Sequence, residues 1–207
     1  MNNREAYNIW AEQYDTNKNL TRDLEAKSLR DTLGKIQFSN VLEIGCGTGK
    51  NSEWLVQHAH HITAVDFSEE MLEKARAKVQ ASKIEFKQAD ITKEWNFTDK
   101  KFDLICFSLV LEHIKDLDFI FAQARQKIAD YGHLYIGELH PFKQYTGTVA
   151  RFDTDQGRVE LDCYVHNISE FLHTSRKHKF SLANIGESFD EGGESGIPRI
   201  LMLLFNG

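Results

Sequence analysis

Short apolar runs alternate with amphipathic segments along most of this chain, and this alternation constrains the fold more than any other feature. The strand-like runs occupy 40–44, 61–65, 84–88, 102–107 and 133–139. Segments with helical spacing of apolar residues lie between them, at 51–58, 69–81 and 117–129. Apolar strands covered by helices on both faces are typical of parallel sheets. The pattern predicts a three-layer α/β fold with its ligands at the carboxyl ends of the strands.

The two ends of the chain depart from this alternation. Helical spacing at 9–14 and 20–36 predicts a helical N-terminal arm over residues 1–39. The tail reads as a helix at 168–178 and strands at 180–189 and 199–205, which a Gly-rich turn at 192–196 joins. Two strands without an intervening helix should pair antiparallel. We expect residues 1–207 to form one domain.

Composition excludes several classes of protein. The formal net charge of −6 argues against a surface built to hold a phosphate backbone, so nucleic acid is not an expected partner. The chain has neither a signal-like apolar start nor an apolar run of the roughly 20 residues that a membrane span needs. The three cysteines are widely separated and form no zinc-ligand pattern. We expect a cytoplasmic protein with no bound metal and no membrane partner.

A glycine-rich stretch follows the first apolar run. Gly45, Gly47 and Gly49 stand two apart in the segment Val41–Ser52. Glycines here let the chain turn sharply off a strand and leave main-chain N–H groups accessible to a ligand. The dinucleotide pattern G-x-G-x-x-G would require glycine at Lys50, and a P-loop would require four residues between Gly45 and the Gly49–Lys50 pair. Both phosphate-binding interpretations are therefore weakened, and a simple Gly-rich turn is the alternative.

The resulting E-x-G-x-G-x-G pattern, which begins at Glu43, resembles the cofactor loop of class I S-adenosylmethionine (SAM) dependent methyltransferases. The resemblance implies a Rossmann-like methyltransferase fold whose mostly parallel seven-stranded sheet ends in an antiparallel hairpin, in the order 3-2-1-4-5-7-6. It implies SAM as the cofactor, with Glu43 balancing an ammonium group. The predicted loop contacts are Gly45, Cys46, Gly47 and Gly49.

Acidic residues also end the second and third runs. Asp66 lies 17 residues beyond Gly49 (66 − 49), where a carboxylate can accept hydrogen bonds from ribose hydroxyls in both NAD-binding and SAM-binding folds. By resemblance, Asp90 and Ile91 bind the adenine. Each acid also has a purely structural alternative. Asp66 could belong to the N-terminal cap of the following helix, for which Ser68 is itself a plausible cap, and Asp90 could simply form a turn. Carboxylates at three successive strand ends are a more specific signal than any one of them.

The resemblance implies further contacts. Phe67 and Met71 would lie against the adenine, although a helix facing the sheet also needs an apolar residue at Met71. Ser108 and Leu109, after the fourth run, would line the methyl-transfer site. Tyr7, Trp10 and Tyr14 resemble an aromatic segment that closes over SAM, with Tyr14 the predicted contact. Their spacing is also that of an ordinary packed helix face.

Methyl transfer from a sulfonium is an in-line displacement with an excellent leaving group, so positioning can supply much of the acceleration. A base adds perhaps 10²–10⁴-fold when the acceptor is a hydroxyl or a protonated amine. The candidates by position are His113, Glu138 and His140, which could face one cleft. An ordinary hydrogen-bonded histidine is the alternative for His113 and for His140.

The segment 141–167 replaces the expected crossover helix and carries several aromatic residues. By resemblance it would shape the acceptor pocket; a surface hairpin is the alternative. The family's N/D/S-P-P-Y loop for nucleobase or glutamine acceptors and the Pro-Cys nucleophile of cytosine C5 enzymes are both missing. We therefore expect a small-molecule acceptor methylated at oxygen, nitrogen or carbon. The competing functions are a catalytically silent SAM-binding protein and, less well supported, an NAD(P)-dependent oxidoreductase.

Overall fold

A seven-stranded mixed sheet forms the centre of the computed structural model, which describes residues 1–16, 18–154, 157–190 and 196–207. The strands lie in the order β3-β2-β1-β4-β5-β9-β8, in which β5 pairs antiparallel with β9 and β9 with β8. The predicted sheet order and C-terminal hairpin are therefore confirmed. The strands of this sheet are β1 Asn40–Ile44, β2 His61–Asp66, β3 Ile84–Gln88, β4 Phe102–Ser108, β5 Ile128–Leu139, β8 Ser181–Ser188 and β9 Ile200–Asn206.

Helices cover both faces of the sheet, and a small hairpin stands apart from it. The hairpin pairs β6 Arg151–Thr154 with β7 Gly157–Glu160. The helices are α1 Asn3–Trp10, α2 Leu20–Leu33, α3 Ser52–His58, α4 Glu69–Lys78, α5 Leu117–Lys127, α6 Pro141–Tyr145 and α7 Ile168–Lys177. None of the helices in the described ranges is long and apolar enough to cross a membrane.

Side chains of the central strands alternate between two apolar cores. In β1, Leu42 packs into the core that includes α5, whereas its neighbour Val41 packs into the core that includes α2 and α3. Leu104 and Ile105 of β4 divide in the same way. Successive side chains of a strand point to opposite faces, so strands this apolar must be covered on both sides. This double burial fixes the register of the sheet.

Parallel pairing brings the functional segments to one edge of the sheet. Ile44 is level with Val65 of β2 and with Phe107 of β4. The ends of these three strands therefore lie side by side. They bring together the glycine loop (residues 45–49) after β1, Asp66 at the end of β2 and Ser108 at the end of β4. The aligned strand ends account for the site's position in the fold.

The N-terminal arm divides into two parts. α1 begins earlier than the predicted helix at 9–14, because Asn2 and Glu5 form a capping box ahead of Asn3. The chain after Trp10 forms turns rather than helix as far as residue 16. α2 is one of the helices that cover the sheet, because Leu29 and Leu33 are fully buried in the core against β5 and β9. α1 and the turns after it lie over the strand ends, and the first turns of α2 reach the same region through Arg22 and Glu25.

The segment 141–167 contains α6 and the β6–β7 hairpin. Phe152 of this hairpin and Leu161 pack with Ala6 and Trp10 of α1, forming a third, smaller apolar cluster. The Trp10 and Phe152 rings stack at 4.9 Å with an interplanar angle of 12°. The insertion and α1 thus support each other above the sheet.

Several element boundaries differ from the sequence prediction: α2 and α4 each end three residues early, and the boundary between α5 and β5 shifts. α5 ends at Lys127 instead of continuing to 129, and β5 begins at Ile128 instead of 133. Ile128 pairs with Phe102 before a register shift, so the two strands meet earlier than the apolar pattern indicates. Most of the predicted Gly-rich turn at 192–196 lies outside the described residues.

Candidate active site

The glycine loop after β1 needs glycine for two different reasons. Gly45, Gly47 and Gly49 have φ angles of 69°, 53° and 82°, in the left-handed region that side chains disfavour. A Cβ on Gly45 would lie 2.1 Å from Cγ2 of Val110. The loop is therefore pressed against the segment after β4. Gly49 faces the opposite way, because a Cβ there would meet Ala75 of α4.

Asp66 connects this loop to the end of β2. Its Oδ2 accepts the Gly47 N–H at 2.9 Å, and its Oδ1 accepts the Ser68 N–H at 2.9 Å. Each carboxylate oxygen keeps a lone pair, so the group can still accept from a ligand's hydroxyls. Burial raises the pKa of Asp66 to about 6, although these backbone donors oppose the shift. Ser68, not Asp66, caps α4.

Two buried carboxylates lie beneath the loop. Glu43 accepts a hydrogen bond from the Ser52 hydroxyl at 2.6 Å, and burial raises its pKa to about 8. Glu25 of α2 accepts from Asn51 Nδ2 at 3.1 Å and from the Tyr135 hydroxyl at 3.2 Å. Burial raises the pKa of Glu25 to about 7. Within the described part of the chain, the buried Oδ1 of Asn51 has no hydrogen-bond partner.

Glu25 is a site residue that the sequence reasoning missed. It shares a helix face with Leu29 and Leu33, four and eight residues later, and all three are buried. A carboxylate on the apolar face of an amphipathic helix costs free energy unless it is paired. An acidic residue on an otherwise apolar helix face is the sequence signal that could have identified Glu25.

The segment after β4 is held in an unusual conformation. Leu109 has a φ of 57°, which is uncommon for a residue with a branched side chain, and its N–H donates to the Gly137 carbonyl at 2.8 Å. Glu138 accepts from the N–H groups of Val110 at 3.0 Å and Leu111 at 2.8 Å. Burial raises the pKa of Glu138 to about 8. Glu138 thus holds the turn Leu111–His113 in place.

The insertion holds the same turn from its other side. The Tyr164 N–H donates to the Glu112 carbonyl at 2.6 Å, and His166 Nε2 lies 2.7 Å from the Ile114 carbonyl. His113 Nδ1 lies 3.0 Å from the Asp162 carbonyl. The position of the turn therefore depends on segments far away in the sequence.

His113 lies among several hydrogen-bonding groups. Its Nδ1 faces the Asp162 carbonyl and also lies 3.3 Å from Asn3 Nδ2; a proton on Nδ1 toward the carbonyl, which can only accept, leaves the Nε2 lone pair for Tyr7. The Tyr7 hydroxyl donates to Nε2 at 2.9 Å. Burial raises the pKa of Tyr7 well above its usual range. Tyr7 therefore keeps its proton, and its hydroxyl can donate to the imidazole.

The other two predicted base candidates lie elsewhere. His140 Nδ1 accepts the Phe142 N–H at 3.2 Å, and its Nε2 faces Glu187 of β8 at 2.9 Å. Desolvation by burial lowers the pKa of His140. Both ring nitrogens of His140 are thus engaged, and the carboxylate of Glu138 holds backbone N–H groups. The three candidates do not share one cleft.

Three cavities lie between the strand ends and the N-terminal arm. The strand-end cavity has a volume of about 150 Å³. Its walls include Tyr7, Tyr14, Gly45, Gly47, Asp66, Phe67, Asp90, Ile91, Ser108, Leu109 and His113. The loop cavity is bounded by residues that include Tyr14, Arg22, Glu25, Glu43, Cys46, Asn51 and Leu109. The arm cavity is bounded by residues that include Tyr7, Trp10, Tyr14, Arg22, Leu109, Glu112 and Arg151.

All three cavities meet at two residues. Tyr14 and Leu109 line each of them. The guanidinium of Arg22 lies 3.9 Å from the centre of the Tyr14 ring, on the side of the arm and loop cavities. The three cavities therefore adjoin around these two side chains, and we call this place the three-way junction.

Most predicted cofactor contacts line this junction, but two do not. Met71 is buried in the cluster beneath α1, and Gly49 packs on α4. Asp90 faces the strand-end cavity and accepts from the Thr92 N–H and hydroxyl at 3.1 and 2.6 Å. In the part of the chain that the structure describes, no group of three or more His, Cys, Asp or Glu side chains is placed to hold a metal ion.

Comparison with known proteins gives consistent similarities. Residues 42–136 match the family described as a methyltransferase domain. The chain is 30% identical over 176 residues to a ubiquinone biosynthesis O-methyltransferase of Pelagibacter ubique, covering 81% of this chain and 71% of that protein. It is 25% identical over 210 residues to a malonyl-[acyl-carrier protein] O-methyltransferase of Bacillus anthracis, covering 83% and 77%.

A solved structure shares the fold. The N-methyltransferase NodS of Bradyrhizobium japonicum, in complex with S-adenosyl-L-homocysteine, superimposes with a TM-score of 0.75. The match covers 100% of this chain and 99% of that one, at 20% sequence identity. The fold similarity thus extends through α1 and the insertion.

Proposed function

This chain belongs to the class I SAM-dependent methyltransferase family, and we propose that it methylates a small-molecule acceptor held in the arm cavity. SAM, its cofactor, supplies a methyl group on a sulfonium whose displacement leaves a neutral thioether. The observation that carries the proposal is the three-way junction at Tyr14 and Leu109. A sulfonium carries three substituents, and three cavities meet here.

We assign the strand-end cavity to the adenosyl part of SAM. Asp66 would accept from the ribose hydroxyls through the lone pairs that Gly47 and Ser68 leave open. Asp90 and Ile91 would meet the adenine at the far end of the same cavity, with Phe67 beside them. This assignment retains the sequence-based predictions, apart from the packing positions of Met71 and Gly49.

The loop cavity would hold the methionine part. An ammonium group has donors to offer, and the cavity is lined by two buried carboxylates, Glu25 and Glu43, and by Asn51, whose Oδ1 has no partner among the described residues. Arg22 lines the same cavity and could face the carboxylate of the methionine part. A bound ammonium group would lower the raised pKa values of Glu25 and Glu43 and so favour their ionised forms.

The arm cavity is then left for the acceptor, and we assign proton removal to Tyr7 and His113. Tyr7 lines both the arm and strand-end cavities, and its hydroxyl already donates to His113 Nε2. A proton from the acceptor can pass to the Tyr7 oxygen while the Tyr7 proton passes to Nε2. The raised pKa of Tyr7 favours such a concerted transfer over a free phenolate. Glu138 would be a positioning residue.

The comparisons alone do not determine which atom of the acceptor is methylated. The two curated relatives carry O-methyltransferase names, whereas the structural neighbour is an N-methyltransferase. A catalytically silent SAM-binding protein is the rival that must be tested.

The test has two parts. Calorimetric titration with S-adenosylhomocysteine and with NAD should show binding of the former only. Incubation with methyl-labelled SAM and pooled amines, phenols, alcohols and carboxylic acids should then transfer label to one pool. Binding without transfer to any pool would favour the silent protein. Failure to bind S-adenosylhomocysteine would refute the assignment of the cavities.

A further inference from the structure

Glu112 is the one acidic side chain among the described residues of the arm cavity wall, and the assigned cofactor and proton-transfer roles do not use it. It is 8% exposed, and its Oε2 has no hydrogen-bond partner in the described part of the chain. Its other oxygen, Oε1, lies 3.9 Å from His113 Nε2. A buried carboxylate oxygen without a partner is costly, so a ligand that donates to it gains affinity.

The nearby cations do not reach Oε2. His113 lies beside the other oxygen and the Arg22 guanidinium lies over the Tyr14 ring, while no described residue, Arg151 included, forms a hydrogen bond with Oε2. Burial raises the pKa of Glu112, while His113 and a hydrogen bond from Gln144 oppose the shift. The ionised carboxylate therefore needs a positive partner that the cavity wall does not supply to Oε2.

Three aromatic side chains, Tyr7, Trp10 and Tyr14, line the cavity beside Glu112. Phe152 stacks on Trp10 and the Arg22 guanidinium lies over Tyr14, so only the ring faces that these neighbours leave open can receive a cation. A cation over a ring face gains about 0.5–2 kcal/mol, depending on how far it is desolvated. A neutral hydroxyl could donate to Oε2 but would leave the carboxylate charge uncompensated. A protonated amine supplies both the charge and several N–H donors.

We propose that the methyl acceptor is a primary or secondary amine, whose protonated nitrogen is recognised by Glu112 among the rings of Tyr7, Trp10 and Tyr14. The proposal rests on the proposed function and narrows it to the class of substrate. In this assignment Glu112 determines acceptor specificity, while Tyr7 and His113 remove the proton.

The reaction balances with these groups. One ammonium proton passes through Tyr7 to His113 Nε2, which leaves a neutral amine and an imidazolium. The nitrogen lone pair forms the new N–C bond to the methyl carbon, the C–S bond breaks, and sulfur keeps that electron pair. The products are a methylated ammonium ion and a neutral thioether, and the imidazolium returns its proton to solvent.

Binding of matched probes tests recognition without relying on turnover. In the complex with S-adenosylhomocysteine, benzylamine, phenethylamine and cyclohexylamine are titrated beside their alcohol isosteres. At least one amine should bind about ten- to a hundredfold more tightly than its alcohol, the range expected for charged hydrogen bonds. Glu112→Gln should remove that preference and leave S-adenosylhomocysteine affinity unchanged. Glu73→Gln, at an exposed position on α4, is the matched control and should behave like the parent.

A variant that keeps the charge separates recognition from structural damage. Glu112→Asp should retain part of the amine preference, whereas a structural role alone would not distinguish Asp from Gln. In the labelling experiment, label should enter the amine pool, with a KM that Glu112→Gln raises by about tenfold or more.

Three results would overturn the amine proposal while the methyltransferase assignment stands. They are transfer of label only to phenols, alcohols or carboxylic acids, absence of an amine preference in the panel, and an unchanged preference in Glu112→Gln. Loss of S-adenosylhomocysteine binding in the parent protein would instead contradict the proposed function itself. The two failures are therefore distinguishable.

Discussion

The two walls of the active site are built in different ways. The strand wall consists of the glycine loop, Asp66 and the end of β4, and it follows directly from buried parallel strands. The turn Leu111–His113 lies between the two walls. The arm wall consists of α1 and the insertion 141–167, which meet only through contacts between distant parts of the chain. Asn3 Nδ2, for example, donates to the Asp162 carbonyl at 2.9 Å, 159 residues away. One wall is fixed by the sheet, and the other is assembled on top of it.

This difference suggests a division of tasks. The strand wall rests on fully buried residues such as Leu42, Val65 and Ile105. The arm wall rests on the small cluster around Trp10, with exposed residues such as Ile9 close by in the same helix. Segments with few buried apolar contacts open at lower free-energy cost. We expect changes in the strand wall to affect cofactor binding, and changes in the arm wall to affect the acceptor.

The largest effect is expected at Gly45. Gly45→Ala places a methyl group 2.1 Å from Val110 Cγ2 in a left-handed conformation. The strain costs about 1–2 kcal/mol and the overpacking about 1–3 kcal/mol more. We expect loss of measurable S-adenosylhomocysteine binding by calorimetry and a lower free energy of unfolding in urea.

Gly147→Ala is the matched control for this substitution. Gly147 also has a left-handed φ, of 88°, but no atom of the described residues lies within 4 Å of a Cβ there. It should lose only the strain energy and keep cofactor affinity. If both variants lose binding equally, the packing of the loop on Val110 is not what the strand wall requires.

The next effect is expected at the proton-accepting pair. His113→Gln should lower kcat by about 10²–10⁴-fold, because it removes the imidazole lone pair that Tyr7 faces. The affinity for S-adenosylhomocysteine should change little. Tyr7→Phe should lower kcat in the same direction, whereas His173→Gln, at an exposed position on α7, should not. Parental turnover in His113→Gln would exclude it as the base.

A smaller effect is expected at Asp66. Asp66→Asn should weaken S-adenosylhomocysteine binding by about 10- to 150-fold, which corresponds to about 1.5–3 kcal/mol for hydrogen bonds to a charged group. The parent should also lose affinity as the pH falls through about 6, where Asp66 takes up a proton. The variant should lack this part of the pH dependence.

The sign of the linkage separates this loss from unfolding. Because the folded-state pKa of Asp66 is raised from 3.8 to about 6, the free protein takes up a proton on folding within that window. The contribution of Asp66 to stability therefore increases as the pH falls from about 6 to 3.8, while cofactor affinity decreases. A parallel fall in both quantities that is absent from Asp66→Asn would contradict the assignment.

The sequence predicted the strand ends of the site better than the side-chain contacts that support them. Strand ends such as Gly45, Asp66 and Ser108 follow from apolar periodicity, because parallel pairing aligns whatever comes next. Glu25 was missed because its partner, Asn51, lies in another element. Nothing in the local pattern around Glu138 shows that it faces backbone N–H groups 26 to 28 residues away. Such contacts follow only from the assembled fold.

The smallest predicted effect tests the division of tasks most directly. Phe152→Leu removes the stack on Trp10, which is worth about 0.5–1.5 kcal/mol beyond buried area, and so loosens α1 over the sheet. The acceptor KM should rise roughly two- to tenfold, and amide hydrogen exchange in α1 should become faster. Phe142→Leu, at a half-exposed position in the same insertion, is the control. If Phe152→Leu weakens S-adenosylhomocysteine binding as much as it raises the acceptor KM, the arm holds the cofactor as well. The two walls would then be one structure rather than two.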